Sequence, residues 1–192
     1  MNIYKDLEDA LYAYASAILP DLAAEGRIIF PFQNGPEPAT PYLLLDVKRL
    51  DAVGREQSSH FVSVDELDNG TSTTLQHYIA NVRFEFVGKY DNNAVLGDLA
   101  QTLEMNLRTP NGYELQRANN LSLFEYEPIE RVKLRRETDT YMYMQLDTQF
   151  GFSVQHVFDQ DWVGEVRILR GVYSDANNPP DYERVTTMNI PE

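Results

Sequence analysis

His60, His77 and His156 are the side chains here best suited to moving protons near neutral pH, and imidazoles brought together could hold a metal. They are widely separated in the chain, and none belongs to an H-E-x-x-H pair or a comparable spacing. By strand parity His156 falls on an apolar side, the usual place of a structural histidine. Asp65-Glu66-Leu67-Asp68-Asn69-Gly70 has some residue types of a calcium loop, but Leu67 stands where a ligand is needed and the closing glutamate is missing. It reads as an acidic turn. With no cysteine, thiolate catalysis, thiolate metal sites and a disulfide framework are excluded together. The 10 glycines are scattered, so no phosphate loop is formed, and no nucleophile elbow occurs. Glu125 and Glu127 share a strand face as a glycosidase pair could, yet with 30 acidic residues such a pair is expected by chance. The sequence therefore assigns no catalytic, cofactor-binding or metal-binding residue.

One charge cluster is less ordinary. Arg131, Lys133 and Arg135 alternate with Val132 and Leu134, and Arg136 follows, so 4 of the 16 basic residues lie within six positions. As a strand, this segment sets a basic stripe opposite an apolar face. A solvated edge strand whose charges prevent unwanted pairing is one reading. Complementarity to an acidic patch on another copy is a second, and direct DNA contact a third. The candidate subunit interface comprises Arg131, Lys133 and Arg135, with Phe61 and Val62 from a projecting arm and Tyr141 and Tyr143 from a long strand.

Periodicity supplies the elements that would position these residues. Tyr4, Leu7, Leu11, Tyr14 and Ile18 mark a first helix that ends before Pro20-Asp21. Arg27 to Phe32 reads as β, and the loop from Gln33 to Pro41 is kept irregular by three prolines. Tyr42 to Leu50 resumes as a strand whose Leu43-Leu44-Leu45 run suggests a central place in a sheet. Residues 51–78 read as an extended hairpin arm, with Asp68-Asn69-Gly70 between β-prone runs. Val82, Phe84 and Phe86 alternate with polar residues as a half-buried strand, and Leu96, Leu99, Leu103 and Leu107 then repeat at helical spacing after a cap at Asp91 or Asn92. Thr109-Pro110-Asn111-Gly112 reads as a turn, Leu121 to Glu127 and Ile129 to Arg136 as strands split by Pro128. From Tyr141 to Val157, Met142, Met144, Leu146, Phe150, Phe152 and Val154 share one face, in a strand longer than usual that projects or bends at Gly151. Trp162 to Leu169 favours a last strand, and 173–192 reads as a loop-like or neighbour-bound tail. The expected fold is α+β: a single domain, 1–172, with a mixed, mostly antiparallel sheet packed by two main helices.

A length of 192 residues fits one domain with a sizeable core, and 43% hydrophobic and 11% aromatic content argue against disorder. The net charge of -14 argues against a generic binder of DNA or anionic membrane, since phosphate contacts need concentrated Lys and Arg. It suits solubility, or a surface past which DNA must slide without sticking. Lys5, Asp6, Glu8 and Asp9 interrupt the N-terminal segment, which does not read as a signal peptide, and no run approaches a membrane span. Synthesis in the cytoplasm fits, and the sequons at Asn69 and Asn120 read as chance matches.

The segment Gln33-Asn34-Gly35-Pro36-Glu37-Pro38-Ala39-Thr40-Pro41-Tyr42, the strand-to-helix step from Arg83 to Leu107 and the closing Trp162-Val163-Gly164-Glu165-Val166-Arg167-Ile168 before Gly171 resemble the neck and tail terminator proteins of tailed bacteriophages. The neck terminator group is the nearer likeness, and it covers about residues 1–172. This resemblance implies a non-enzymatic virion protein without cofactors, made in the host cytoplasm. It would form a homo-hexameric ring that caps the tail tube and joins it to the head connector. Its partners would be itself, the tube protein and the connector or adaptor proteins, with DNA only as passing cargo and no membrane. Two alternatives stand beside it. One is another head-completion, tube or baseplate component; the other, of a different class, is a monomeric carbohydrate-binding module that stacks sugars on Tyr141, Tyr143 or Trp162.

Overall fold

The computed structural model describes the chain except residues 1, 32–34, 63–68, 137–138, 162–164, 170–184 and 190–192; within 55–73, 135–139 and 156–192 it describes only strand backbone. The fold is α+β, with helices beside a mixed, mostly antiparallel sheet of six strands. In chain order come α1 (Ile3–Ile18), α2 (Pro20–Ala24), β1 (Ile28–Ile29), β2 (Tyr42–Val62), β3 (Asn69–Lys89), α3 (Asn93–Asn106), α4 (Pro110–Ala118), β4 (Leu121–Tyr126), β5 (Glu130–Arg136), β6 (Asp139–Asp161), β7 (Glu165–Leu169) and β8 (Val185–Asn189). Two compact units result, one of Met1–Gln57 with Leu75–Gln155 and one of Ser58–Thr74 with His156–Glu192.

The sheet runs β1-β2-β3-β6-β4, with β5 also on β6. Side-chain pairs Glu85–Gln145, Arg83–Asp147 and His77–Ser153 show residue numbers rising on β6 as they fall on β3, so these two strands are antiparallel. On its other side β6 pairs antiparallel with β5 from Arg136↔Asp139 to Glu130↔Gln145, then with β4 from Tyr126↔Thr148 to Leu121↔Phe152. Between them the Glu127 N–H reaches the Asp147 carbonyl at 2.8 Å, so β4 and β5 form one edge interrupted at Pro128, which has no N–H to give.

Strand alternation divides the sheet's two faces. Leu43 and Leu45 of β2, Val82, Phe84 and Phe86 of β3, and Met142, Leu146, Phe150 and Val154 of β6 turn to one face, where they pack with Leu7 and Leu11 of α1, Leu22 of α2 and Leu96 and Leu103 of α3. That face is the core. Phe150 stands edge-on to both Tyr14 and Phe84, with centroids 6.1 and 6.2 Å away, and so joins α1, β3 and β6. The opposite face carries a small cluster of Tyr42, Val87 and Tyr143, flanked by Ile29, Leu44, Val132 and Tyr141.

Several sequence expectations need correction. Tyr4 does not join the buried stripe of α1; it is 52% exposed, and Ala15 fills the helix's inner face with Leu7, Leu11 and Tyr14. The β segment after Arg27 is only two residues long, parallel to β2. Thr109 to Gly112 is the start of a helix, α4, in which the Thr109 side chain caps the Gly112 N–H at 3.0 Å and Pro110 takes the first-turn position where no N–H is needed. Polar Asn111, Glu114 and Arg117 concealed it, because this helix buries little beyond Gly112 and Gln116. Gln116 is a buried tie: its amide donates to the Leu107 carbonyl at 2.9 Å and accepts from the Leu123 N–H at 3.2 Å, fastening α4 to the end of α3 and to β4. Burial pushes the nearby Tyr14 phenol up to about 12, against a smaller opposing pull from the Gln116 amide. In the second unit, Val185–Asn189 lies inside the segment read as a tail and pairs antiparallel with β7 from Glu165↔Asn189 to Leu169↔Val185. Its β-branched Val185-Thr186-Thr187 run favours that strand.

Candidate functional site

The basic segment is the sheet edge. Glu130 to Arg136 pair with β6 in unbroken register, and Arg131 and Lys133 fall opposite Met144 and Met142, residues of the core face. Their side chains therefore leave the edge on the helix side, where both residues are exposed. The Lys133 ammonium lies 5.6 Å from the centroid of Tyr90, in the 3-10 turn Tyr90–Asn92 before α3. On the same side Arg108, just past α3, sits 4.3 Å over the ring of Tyr126. Val132 and Leu134 turn the other way, Val132 into the small cluster and Leu134 46% exposed. Arg135 is placed by register alone, opposite Thr140.

The remaining interface candidates are dispersed. Phe61 and Val62 lie at the end of β2, outside the residues whose side chains are described. Tyr141 is half-buried and Tyr143 is 6% exposed, packed on Tyr42 and Val87. A tyrosine so covered offers no ring face to a sugar, which removes Tyr143 as a stacking platform; Trp162 lies outside the described residues. His60 and His156 also have no described side chain, while exposed His77 shares a 2.7 Å hydrogen bond with Ser153.

Sequence reasoning missed what lies on the face away from the helices. There Arg83 grips Asp147 with two parallel hydrogen bonds of 2.7 Å, Glu85 accepts from Gln145 at 2.7 Å, and Lys48 pairs with Asp46. An open pocket of about 410 Å³ is lined by Lys48, Asn81, Arg83, Glu125, Glu127 and Asp147, among others. A second, of about 580 Å³, lies where exposed Phe124 leans over Gly151 beside His77 and Ile79. The alternation of Arg83 and Asp147 with buried neighbours marks them as outward residues, but their pairing needed the β3–β6 register. Hydrogen bonds from Arg83 hold the Asp147 carboxyl below its ordinary 3.8, with partial burial opposing and the charges of Arg83 and Lys48 assisting. Stability from this pair is present above the ordinary carboxyl range and is lost as pH falls through the lowered value. Asp147→Asn should therefore flatten the acid limb of the stability curve below about pH 4; an unchanged acid slope in urea titrations would contradict the pairing.

Among the described residues no cluster of three or more His, Asp or Glu could hold a metal, and no helix is long and apolar enough to cross a membrane. One open pocket of mixed charge and a second, largely uncharged one beside a bare, charged strand edge define an α+β protein suited to contacts with other proteins. The family model of the phage neck terminator protein matches residues 5–187, and the chain belongs to that family. It is thus a structural protein of the bacteriophage virion, and its partners are other tail and head proteins. No curated protein matches the chain.

Proposed function

We propose that this chain forms the ring, a homo-hexamer, that caps the phage tail tube and joins it to the head connector. The family match carries the reading, and the exposed β5 edge with the 21- to 23-residue strands β2, β3 and β6 supports it. Such strands far exceed the common length of about 5–6 residues. A net charge of -14 per copy suits a ring through which DNA passes without adhering. Rings of like-charged copies need sizeable interfaces, and Arg131, Lys133, Arg135, Phe61, Val62, Tyr141 and Tyr143 are the residues proposed to contribute, Tyr143 by supporting the surface from beneath. Light-scattering mass after size exclusion, with negative-stain imaging, tests the ring. Six-fold mass and annular particles are expected; a strict monomer at high concentration, both alone and with isolated tails, would contradict it.

A further inference from the structure

Between Glu125 and Lys133 the two faces of the β4–β5 edge carry opposite charge, and Arg136, opposite Asp139, lies beyond that stretch on the front. Glu125 stands opposite Gln149, the Glu127 N–H binds the Asp147 carbonyl, and Glu130 stands opposite Gln145; all three β6 partners point away from the helices. Arg131 and Lys133 stand opposite core-side methionines and leave on the helix side, joined there by Arg108. The register shift between β4 and β5 and the strand's own alternation thus send the carboxylates forward and the cations back. None of these six exposed side chains has an ion-pair partner among the described residues. Three cations on one side of the edge, none with a carboxylate partner, are unusual in a chain with 30 acidic and 16 basic residues.

We propose that this edge is a two-sided docking surface for a second copy of the chain, Glu125, Glu127 and Glu130 on the front of one copy meeting Arg108, Arg131 and Lys133 on the back of the next. The spacing fits. Glu125 and Glu127 are two residues apart on their face, as Arg131 and Lys133 are on theirs, so both charge rows repeat at roughly 7 Å. A second copy is favoured over a phosphate polymer because the chain itself supplies the complementary carboxylates, while its net charge of -14 opposes any polyanion. The contact is heterologous: front meets back, never front with front. Repetition in one sense closes a ring when the rotation permits and cannot stop at a two-fold dimer. The inference rests on the ring reading and specifies the surface through which neighbours meet.

The absence of cysteine makes the test direct. In the full-length chain, Glu127→Cys and Lys133→Cys together place one thiol on each side of the edge. Six residues of extended chain separate them by roughly 20 Å, too far for a bridge within one copy. Under mild oxidation the double variant should give a ladder of dimers, trimers and larger species that ends at the closed ring. Each single variant should stay monomeric on the same gel. Ladder yield should fall several-fold as ionic strength rises from about 0.1 M to about 1 M, where the screening length shrinks to about 3 Å. As a second pair, Glu127→Lys and Lys133→Glu should each abolish assembly alone and restore it when combined in one chain. A single cysteine variant that dimerises as readily as the double one would overturn the front-to-back contact. Rings in negative stain with no ladder would overturn this surface while leaving the ring reading intact; neither rings nor ladder, both alone and with isolated tails, would overturn both.

Discussion

Gly112→Ala should destabilise the first unit by about 3 kcal/mol or more, read as a clear fall in the urea midpoint. A Cβ at this position would sit 1.6 Å from the Asn106 carbonyl oxygen and 2.7 Å from its carbon, both backbone atoms at the end of α3. Neither can swing away as a side chain does. Relief requires α4 to lift from α3, which also strains the Thr109 cap on the Gly112 N–H and the Gln116 bond to the Leu107 carbonyl. Gly97→Ala is the matched comparison: it lies inside α3, and its new methyl would meet only the Met144 Cε at 3.8 Å, an ordinary contact. There alanine should stabilise by about 0.5–1 kcal/mol through helix propensity. Equal effects at the two positions would contradict the close α3–α4 junction.

Phe150→Ala should cost about 3–5 kcal/mol. The ring is fully buried, and its removal takes away edge-on contacts to both Tyr14 and Phe84 as well as the transfer free energy of the side chain. Because α1, β3 and β6 all meet there, collapse around the void is resisted from three elements. A loss below about 1 kcal/mol in equilibrium urea unfolding would mean that Phe150 is not at the centre of the core. Since Phe150 lies opposite Leu123, the edge carrying Glu125 and Glu127 depends on the same packing.

What could be read from the sequence was set by periodicity. The Met142 to Val154 alternation fixed β6 and its inward face, and Leu96 to Leu107 fixed α3, because long apolar repeats leave a strong signal. Helix α4 left almost none, being held by a cap and one buried amide instead of an apolar stripe. The basic stripe at Arg131 and Lys133 was visible as alternation, and its placement on an edge was among the readings. The opposed acidic face was not legible. Glu125, Glu127 and Glu130 have mixed parity in sequence, and only the register shift near Phe124 together with the break at Pro128 brings them to one face. The Arg83–Asp147 pair was hidden for a related reason: the partners are 64 residues apart, joined by tertiary pairing that no local pattern records.

The most direct test of the account is complementation of particle assembly. A phage lysate in which this chain is not made should contain DNA-filled heads and separate tails, and adding the purified full-length chain should produce joined, infectious particles with a ring at the head-proximal tip of each tail. Joined particles forming equally well without the chain, or tails that never carry it at that tip, would contradict the proposed function.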